Sequence, residues 1–127
     1  MKVLICGGRD LTRIDAFNWL NRNALDELSF ASGFSSQLKI ELVIHGGCRG
    51  ADEGADDWAK SEHIPVIACP ANWKKHGKAA GPIRNREMIN IHQPDFVIAL
   101  PGGKGTADMI AATEGSGIPV IRARVFA

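Results

Sequence analysis

Five short segments of the chain are apolar almost without interruption, and between them apolar residues return every three to four positions. The runs are 2–6 (KVLIC), 40–45 (IELVIH), 64–69 (IPVIAC), 95–100 (DFVIAL) and 118–126 (IPVIRARVF). They are rich in β-branched residues and do not alternate with polar ones, which is the pattern of strands covered on both faces. Strands that alternate with helices predict an α/β fold: a Rossmann-like three-layer domain, with a mostly parallel sheet of about five strands and helices on both faces.

The first helix is expected to start near Thr12, where TRID resembles a capping box with Asp in place of Glu. Its apolar face carries Phe17, Leu20, Ala24, Leu28 and Ala31, and it stops at Ser32 and Gly33. The second runs from about Gly50 to Glu62, with Ala51, Ala55 and Ala59 at four-residue steps for close packing on the sheet. The third begins at GPIRN, where Pro82 suits the first helical position, and this leaves NWKKHGK as a basic loop. The fourth follows Thr106 as N-cap and closes near Gly115 or Gly117.

Three of the predicted strand-to-helix turns are rich in glycine: CGGRD after the first strand, HGGCRGAD after the second and PGGKGTAD after the fourth. In an open parallel sheet these turns fall on one edge, beyond the carboxyl ends of the strands, where ligands bind. A helix start offers unpaired N–H groups and a partial positive charge, and glycine lets that backbone approach an anion closely. Phosphate is therefore the expected guest, at Gly7, Gly8, Arg9, Gly46, Gly47, Gly50, Gly102, Gly103, Gly105 and Thr106. CGGRD is not GxGxxG, and GGKGTAD lacks the GK[ST] ending of a triphosphate site, so a dinucleotide dehydrogenase and a P-loop NTPase are both disfavoured.

Composition narrows the partners. The 127 residues are expected to form a single domain, residues 1–127. Lys and Arg total 15 against 14 for Asp and Glu, so no global field draws the protein to nucleic acid or a membrane, and anion recognition must be local. The 3 cysteines are odd in number, lie in or near apolar runs and form no CxxC, which suits reduced thiols and a cytoplasmic location. Single, scattered histidines predict no metal site, and the apolar runs are too short for a membrane span.

Cations in the stretch AGPIRNREM add to the anion reading. Arg84 and Arg86 stand at a predicted helix start, where a cation opposes the helix dipole unless an anionic ligand reverses the penalty. They are about 200° apart on a helix, so Arg86 is favoured as the ligand contact, with Arg84 as its partner if still in the loop. Trp73 among Lys74, Lys75, His76 and Lys78 is placed to close over a nucleotide, indole on base. Asp52 and Asp56 lie one helical turn apart and are assigned to the dipole rather than to chemistry.

Taken with NWKKHGKAAGPIRNREM, the three glycine turns resemble the SLOG superfamily, and within it the YspA/YpsA-related branch of small bacterial and phage proteins; the resemblance covers nearly the whole chain. Relatives include the Lonely Guy phosphoribohydrolases and DprA. The resemblance implies a Rossmann-like fold whose glycine turns bind nucleotides or nucleotide-derived ligands; no cofactor is expected. The Lonely Guy pattern sets an active-site arginine 15 positions before the proline of PGGxGT, which is Arg86 here, beside Asn85. It sets the catalytic glutamate at position 109, where this chain has Met109. Asp108 is adjacent, one methylene shorter and turned by about 100° around the helix.

The expected role is therefore a binding or sensor module for a nucleotide-derived small molecule. The alternative is a phosphoribohydrolase that cleaves nucleoside 5'-monophosphates with Arg86 and Asp108. Single-stranded nucleic-acid binding is a third reading, against which the near-neutral charge counts. The family pattern further implies a homodimer.

Overall fold

A computed structural model describes residues 1–33 and 38–123. In chain order the elements are β1 (Lys2–Cys6), α1 (Arg13–Ser32), β2 (Leu42–His45), α2 (Ala51–Ser61), β3 (Val66–Ala68), α3 (Trp73–His76), a 3-10 turn (Gly77–Ala79), α4 (Ala80–His92), β4 (Phe96–Ala99), α5 (Lys104–Gly115) and β5 (Val120–Arg122). Each strand lies inside one of the apolar runs; the last part of the fifth run, 124–126, is outside the described residues.

The strands form one sheet in the order β3-β2-β1-β4-β5. Every neighbouring pair is parallel, with Val3 beside Val43 on one side of β1 and beside Phe96 on the other. The chain fills the sheet outward from β1 to β3, then returns to start again at β4. The winding direction changes between β1 and β4, and the crevice beyond the carboxyl ends of these two strands is where ligands enter this architecture.

Alternate residues of a strand face opposite sides of the sheet, so a strand covered on both sides must be apolar at every position. In β1, Val3 and Ile5 pack with Ala16, Leu20, Ala24 and Leu28 of α1 and with Ala51, Ala55 and Trp58 of α2. Leu4 and Cys6 face the other layer, with Met88 and Ile89 of α4 and Met109 of α5. The structure is thus a three-layer Rossmann-like α/β arrangement. Among the described residues no helix is long and apolar enough to cross a membrane.

Helix boundaries follow the sequence reading in two cases. Thr12 caps α1 by accepting the Asp15 N–H at 3.1 Å, and Gly33 ends it in the left-handed region at φ 79°. Ala51, Ala55 and Ala59 of α2 are fully buried. The apolar face of α1 needs correcting: Ala16 and Trp19 belong to it, Phe17 is half-buried, and Ala31 is exposed because the last turn, like Phe30 within it, no longer packs on the core.

Two other expectations are overturned. NWKKHGK is not a loop: Asn72 caps α3 by accepting the Lys75 N–H, and the 3-10 turn leads directly into α4. Pro82 is consequently the third residue of α4, still within the first turn, where a missing N–H costs nothing. Arg84 is therefore helical. Thr106 is not a cap either, since α5 begins at Lys104 with Gly103 as N-cap. Its side chain is buried instead in the space above Gly102, where a Cβ on residue 102 would collide with the Thr106 hydroxyl.

Candidate functional site

The three glycine turns meet at the carboxyl end of the sheet. The Gly8 N–H donates to the Pro101 carbonyl at 2.8 Å, and the Gly8 carbonyl accepts from Ala51 N–H at 3.2 Å, so the turn after β1 is tied to both of its neighbours. Much of the glycine serves this crowding. A Cβ on Gly8 would stand 2.9 Å from the Gly102 Cα, and one on Gly50, itself at φ 78°, would meet the carbonyl oxygens of Leu11, Arg9 and Gly8 within 2.8 Å. Gly7 faces Ala51 and Leu100 as closely. By contrast, a Cβ on Gly103 or Gly105 would meet nothing within 4 Å. Those two positions alone in the PGG turn leave open backbone.

Beneath the turns lies a cavity of about 730 Å³. Gly7, Gly8 and Arg9 line it from the first turn, Gly46, Cys48 and Asp52 from the second, and the stretch from Pro101 to Thr106 from the third. Helix α4 contributes Arg84 and Asn85, the segment before it Trp73 and Lys78, and α5 Asp108 and Met109. Of the ligand-site residues singled out in the sequence, Gly47, Gly50 and Arg86 do not line the cavity, and of the basic stretch around Trp73 neither do Lys74, Lys75 and His76. Lys104, the variable position of PGGKGT, lines it and was not foreseen; the signal available was its place as the first residue after the N-cap of α5.

The helix ends at this rim differ. Gly103 gives α5 no side-chain cap, and its first bond is the one from Ala107 N–H back to the Gly103 carbonyl. The N–H groups of Lys104, Gly105 and Thr106 have no acceptor among the described residues, and together they carry the positive end of the helix dipole. At α2 the donors of the turn itself are taken: Gly50 N–H by Glu53 Oε1 at 2.8 Å, Cys48 N–H by Asp52 Oδ2 at 3.1 Å and Gly47 N–H by His45 Nδ1 at 3.0 Å. The first helical N–H, of Ala51, goes to the Gly8 carbonyl at 3.2 Å, while those of Asp52 and Glu53 have no acceptor among the described residues.

Several titratable groups surround the second turn. His45 is buried, and because Nδ1 accepts from Gly47 the ring hydrogen sits on Nε2, 2.8 Å from Asp56 Oδ2. Partial burial pushes the Asp56 carboxyl up, but Lys60 and His45 outweigh it and hold it below the usual range. Asp52 is 6% exposed. Burial raises its carboxyl above the usual carboxylate range, although the Cys48 N–H and the neighbouring His45 and Arg84 pull the other way. The Cys6 thiol is pushed up to about 12 by its own burial and by Asp52, which leaves it protonated and inert.

The two arginines are placed in opposite senses. Arg84 reaches over the second turn, donating from Nη1 to the Gly46 carbonyl at 2.7 Å and to the Cys69 carbonyl at 3.2 Å, and from Nε to Asn85 Oδ1 at 3.0 Å. A Cβ on Gly46 would lie 2.6 Å from that Nη1, so glycine at 46 makes room for the guanidinium. Arg86 points to Asp108 in a two-pronged pair, Nη1–Oδ2 2.9 Å and Nη2–Oδ1 3.2 Å. Asn85, buried, donates to Asp108 Oδ2 at 3.0 Å and to the Gly105 carbonyl at 3.3 Å.

The Arg86 guanidinium, aided by Asn85 and opposed by partial burial, holds the Asp108 carboxyl below the usual range. Asp108 is thus an ionised wall of the cavity whose two oxygens are already engaged, a poor source of a proton. Met109 is 1% exposed and belongs to the apolar layer with Leu4, Cys6 and Val97. Position 109 therefore supplies packing and no acid or base.

Comparison with known proteins agrees with this architecture. The profile described as "YAcAr: YspA, cpYpsA-related SLOG family" matches residues 1–76, more than half of the 127-residue chain. The chain is also 39% identical over 87 residues, 63% of its length and 69% of the relative's, to Gene 61 protein of Mycobacterium phage D29. The chain belongs to the YspA, cpYpsA-related SLOG family. The profile match spans the first two glycine turns and ends before α4 and the PGGKGT turn.

Proposed function

We propose that the protein binds a nucleotide or nucleotide-derived phosphorylated ligand in the cavity beyond the carboxyl ends of β1 and β4. The observation that carries this reading is the α5 end of the cavity: N–H groups at 104–106 without acceptors among the described residues, Lys104 on the same rim, and Arg84 in the wall. A phosphate there completes the open donors, answers the helix dipole and has Lys104 on the same rim. Family membership supports a nucleotide-related ligand. The cavity volume lies within the range of sites that enclose ligands of this size.

A second reading, hydrolysis of the N-glycosidic bond of a nucleoside monophosphate, is favoured by one observation: Asp108 is an ionised carboxylate in the cavity wall. Stabilising a developing oxocarbenium ion needs such a charge; protonating the base or activating water needs a free, better-matched group. Asp108 is bound by Arg86 and Asn85, and Met109 is apolar. Binding without turnover is the reading preferred here.

The test is a thermal-shift and calorimetry panel of AMP, GMP, CMP, UMP and ADP-ribose, with free base assayed in parallel. The expected result is a rise in melting temperature with at least one nucleotide and no release of base. Release of base that is lost in Asp108→Asn would establish the hydrolase instead.

A further inference from the structure

One wall of the cavity, formed by the turn after β1 and the segment before α4, is aromatic as well as cationic. Trp73 is 49% exposed there, while the other two tryptophans, Trp19 at 8% and Trp58 at 0%, are core residues. The Trp73 indole is not on a free loop: it stands on α3, whose cap Asn72 fixes the Lys75 N–H, and a Cβ on Gly81 would come within ordinary contact, 3.6 Å, of its Cη2. The Arg9 guanidinium lies over the ring, 5.8 Å from its centroid, and Lys78 lines the same wall. A large aromatic side chain, oriented by a cation and left half in water at the mouth of a cavity, is an exposed stacking surface.

We infer that Trp73 is a platform for the nucleobase, so that the protein selects base-bearing phosphates over sugar phosphates. This rests on the proposal that phosphate binds at α5. A base on the indole with its phosphate at Lys104–Thr106 uses both ends of one cavity. Stacking depends on the area of the aromatic face rather than on a hydrogen-bond pattern, so purine nucleotides are preferred to pyrimidine ones. Arg9 acts as a positioning residue, holding the ring through its cationic face.

The test compares AMP, UMP and ribose 5-phosphate by calorimetry on the wild-type protein, Trp73→Phe and Trp73→Ala, with circular dichroism to verify folding. In the wild type AMP is expected to bind roughly tenfold more tightly than ribose 5-phosphate, with UMP between. Trp73→Ala removes that advantage and leaves ribose 5-phosphate affinity unchanged, and Trp73→Phe restores part of it. AMP, but not ribose 5-phosphate, quenches the tryptophan fluorescence, and this quenching is lost in Trp73→Phe. If AMP and ribose 5-phosphate bind equally well and Trp73→Ala changes neither, the base platform is refuted while the phosphate site stands. If the wild type binds none of the three probes, both are refuted.

Discussion

The turn from β2 into α2 is closed by its own side chains, and the turn from β4 into α5 is open. In the first, Asp52 and Glu53 stand in the opening turn of the helix and accept from Cys48 and Gly50, while Gly47 donates to His45. In the second, the opening turn carries no acid, the N-cap has no side chain, and Lys104 lies beside the free amides. An anion arriving at α2 would have to displace Glu53 and stand near the Asp52 carboxyl; at the opening turn of α5 it would meet amide donors and Lys104, with the paired Asp108 one turn further on. A glycine turn before a helix is thus an anion site only when the residues that follow do not already cap it.

The sharpest way to break the contrast is through the glycines. Gly50→Ala forces a Cβ into three carbonyl oxygens at a positive φ, and is expected to cost about 3 kcal/mol in denaturant unfolding. If this variant is as stable as the wild type, the packing of the β2 turn on the β1 turn is not as described. Next in size, Lys104→Glu reverses the charge at the open turn and is expected to weaken AMP binding at least tenfold, about 1.4 kcal/mol, with unchanged stability. Equal affinity in calorimetry would remove Lys104 from the site.

Asp52 tests the closed turn by pH. Its folded carboxyl is raised above the ordinary value of 3.8, with His45, Arg84 and the Cys6 thiol as its titratable and charged neighbours. The folded state then holds the proton more tightly than the unfolded one, so this group's contribution to stability falls as pH rises from about 4 through its folded value. Asp56, Asp108 and Asp57, the last held down by its hydrogen-bonded pair with Arg13, are depressed and act in the opposite window, stabilising above 3.8 and losing that stability as pH falls below it. Urea titrations of Asp52→Asn and wild type from pH 4 to 7 should show the difference between them shifting in favour of the variant as pH rises. A constant difference would show that the Asp52 carboxyl is not raised.

The smallest free-energy change is expected of Gly105→Ala. Nothing lies within 4 Å of the added Cβ, and alanine suits a helix better, so a gain of about 0.5–1 kcal/mol is expected. Because residue 105 lines the cavity, AMP affinity should fall at the same time. Stability and affinity moving together would mean that the glycine serves the fold and not a ligand.

Much of this was legible in the chain. The apolar runs without alternation located the strands, since residues such as Val3 and Leu4 must each satisfy a different layer. The glycine turns correctly pointed to one rim. What the sequence could not separate was glycine that meets the protein's own backbone, as at Gly8, Gly50 and Gly102, from glycine that meets open space, as at Gly103 and Gly105. That distinction depends on three loops far apart in the chain. The arginines were ranked by helical phase from a start at Pro82; the true start at Ala80 and the tertiary partners Gly46 and Asp108 put Arg84 in the cavity wall and Arg86 outside it. Thr106 looked like a cap because caps and small space-filling residues share one residue type.

The central claim, that phosphate goes to the open turn and not to the closed one, is tested most directly by nuclear magnetic resonance of ¹⁵N-labelled protein titrated with AMP. The amide signals of residues 103–106 are expected to shift in a saturable manner, while those of Cys48, Gly50 and Ala51 stay in place. Saturable shifts at Cys48–Ala51 with residues 103–106 unmoved would contradict the account.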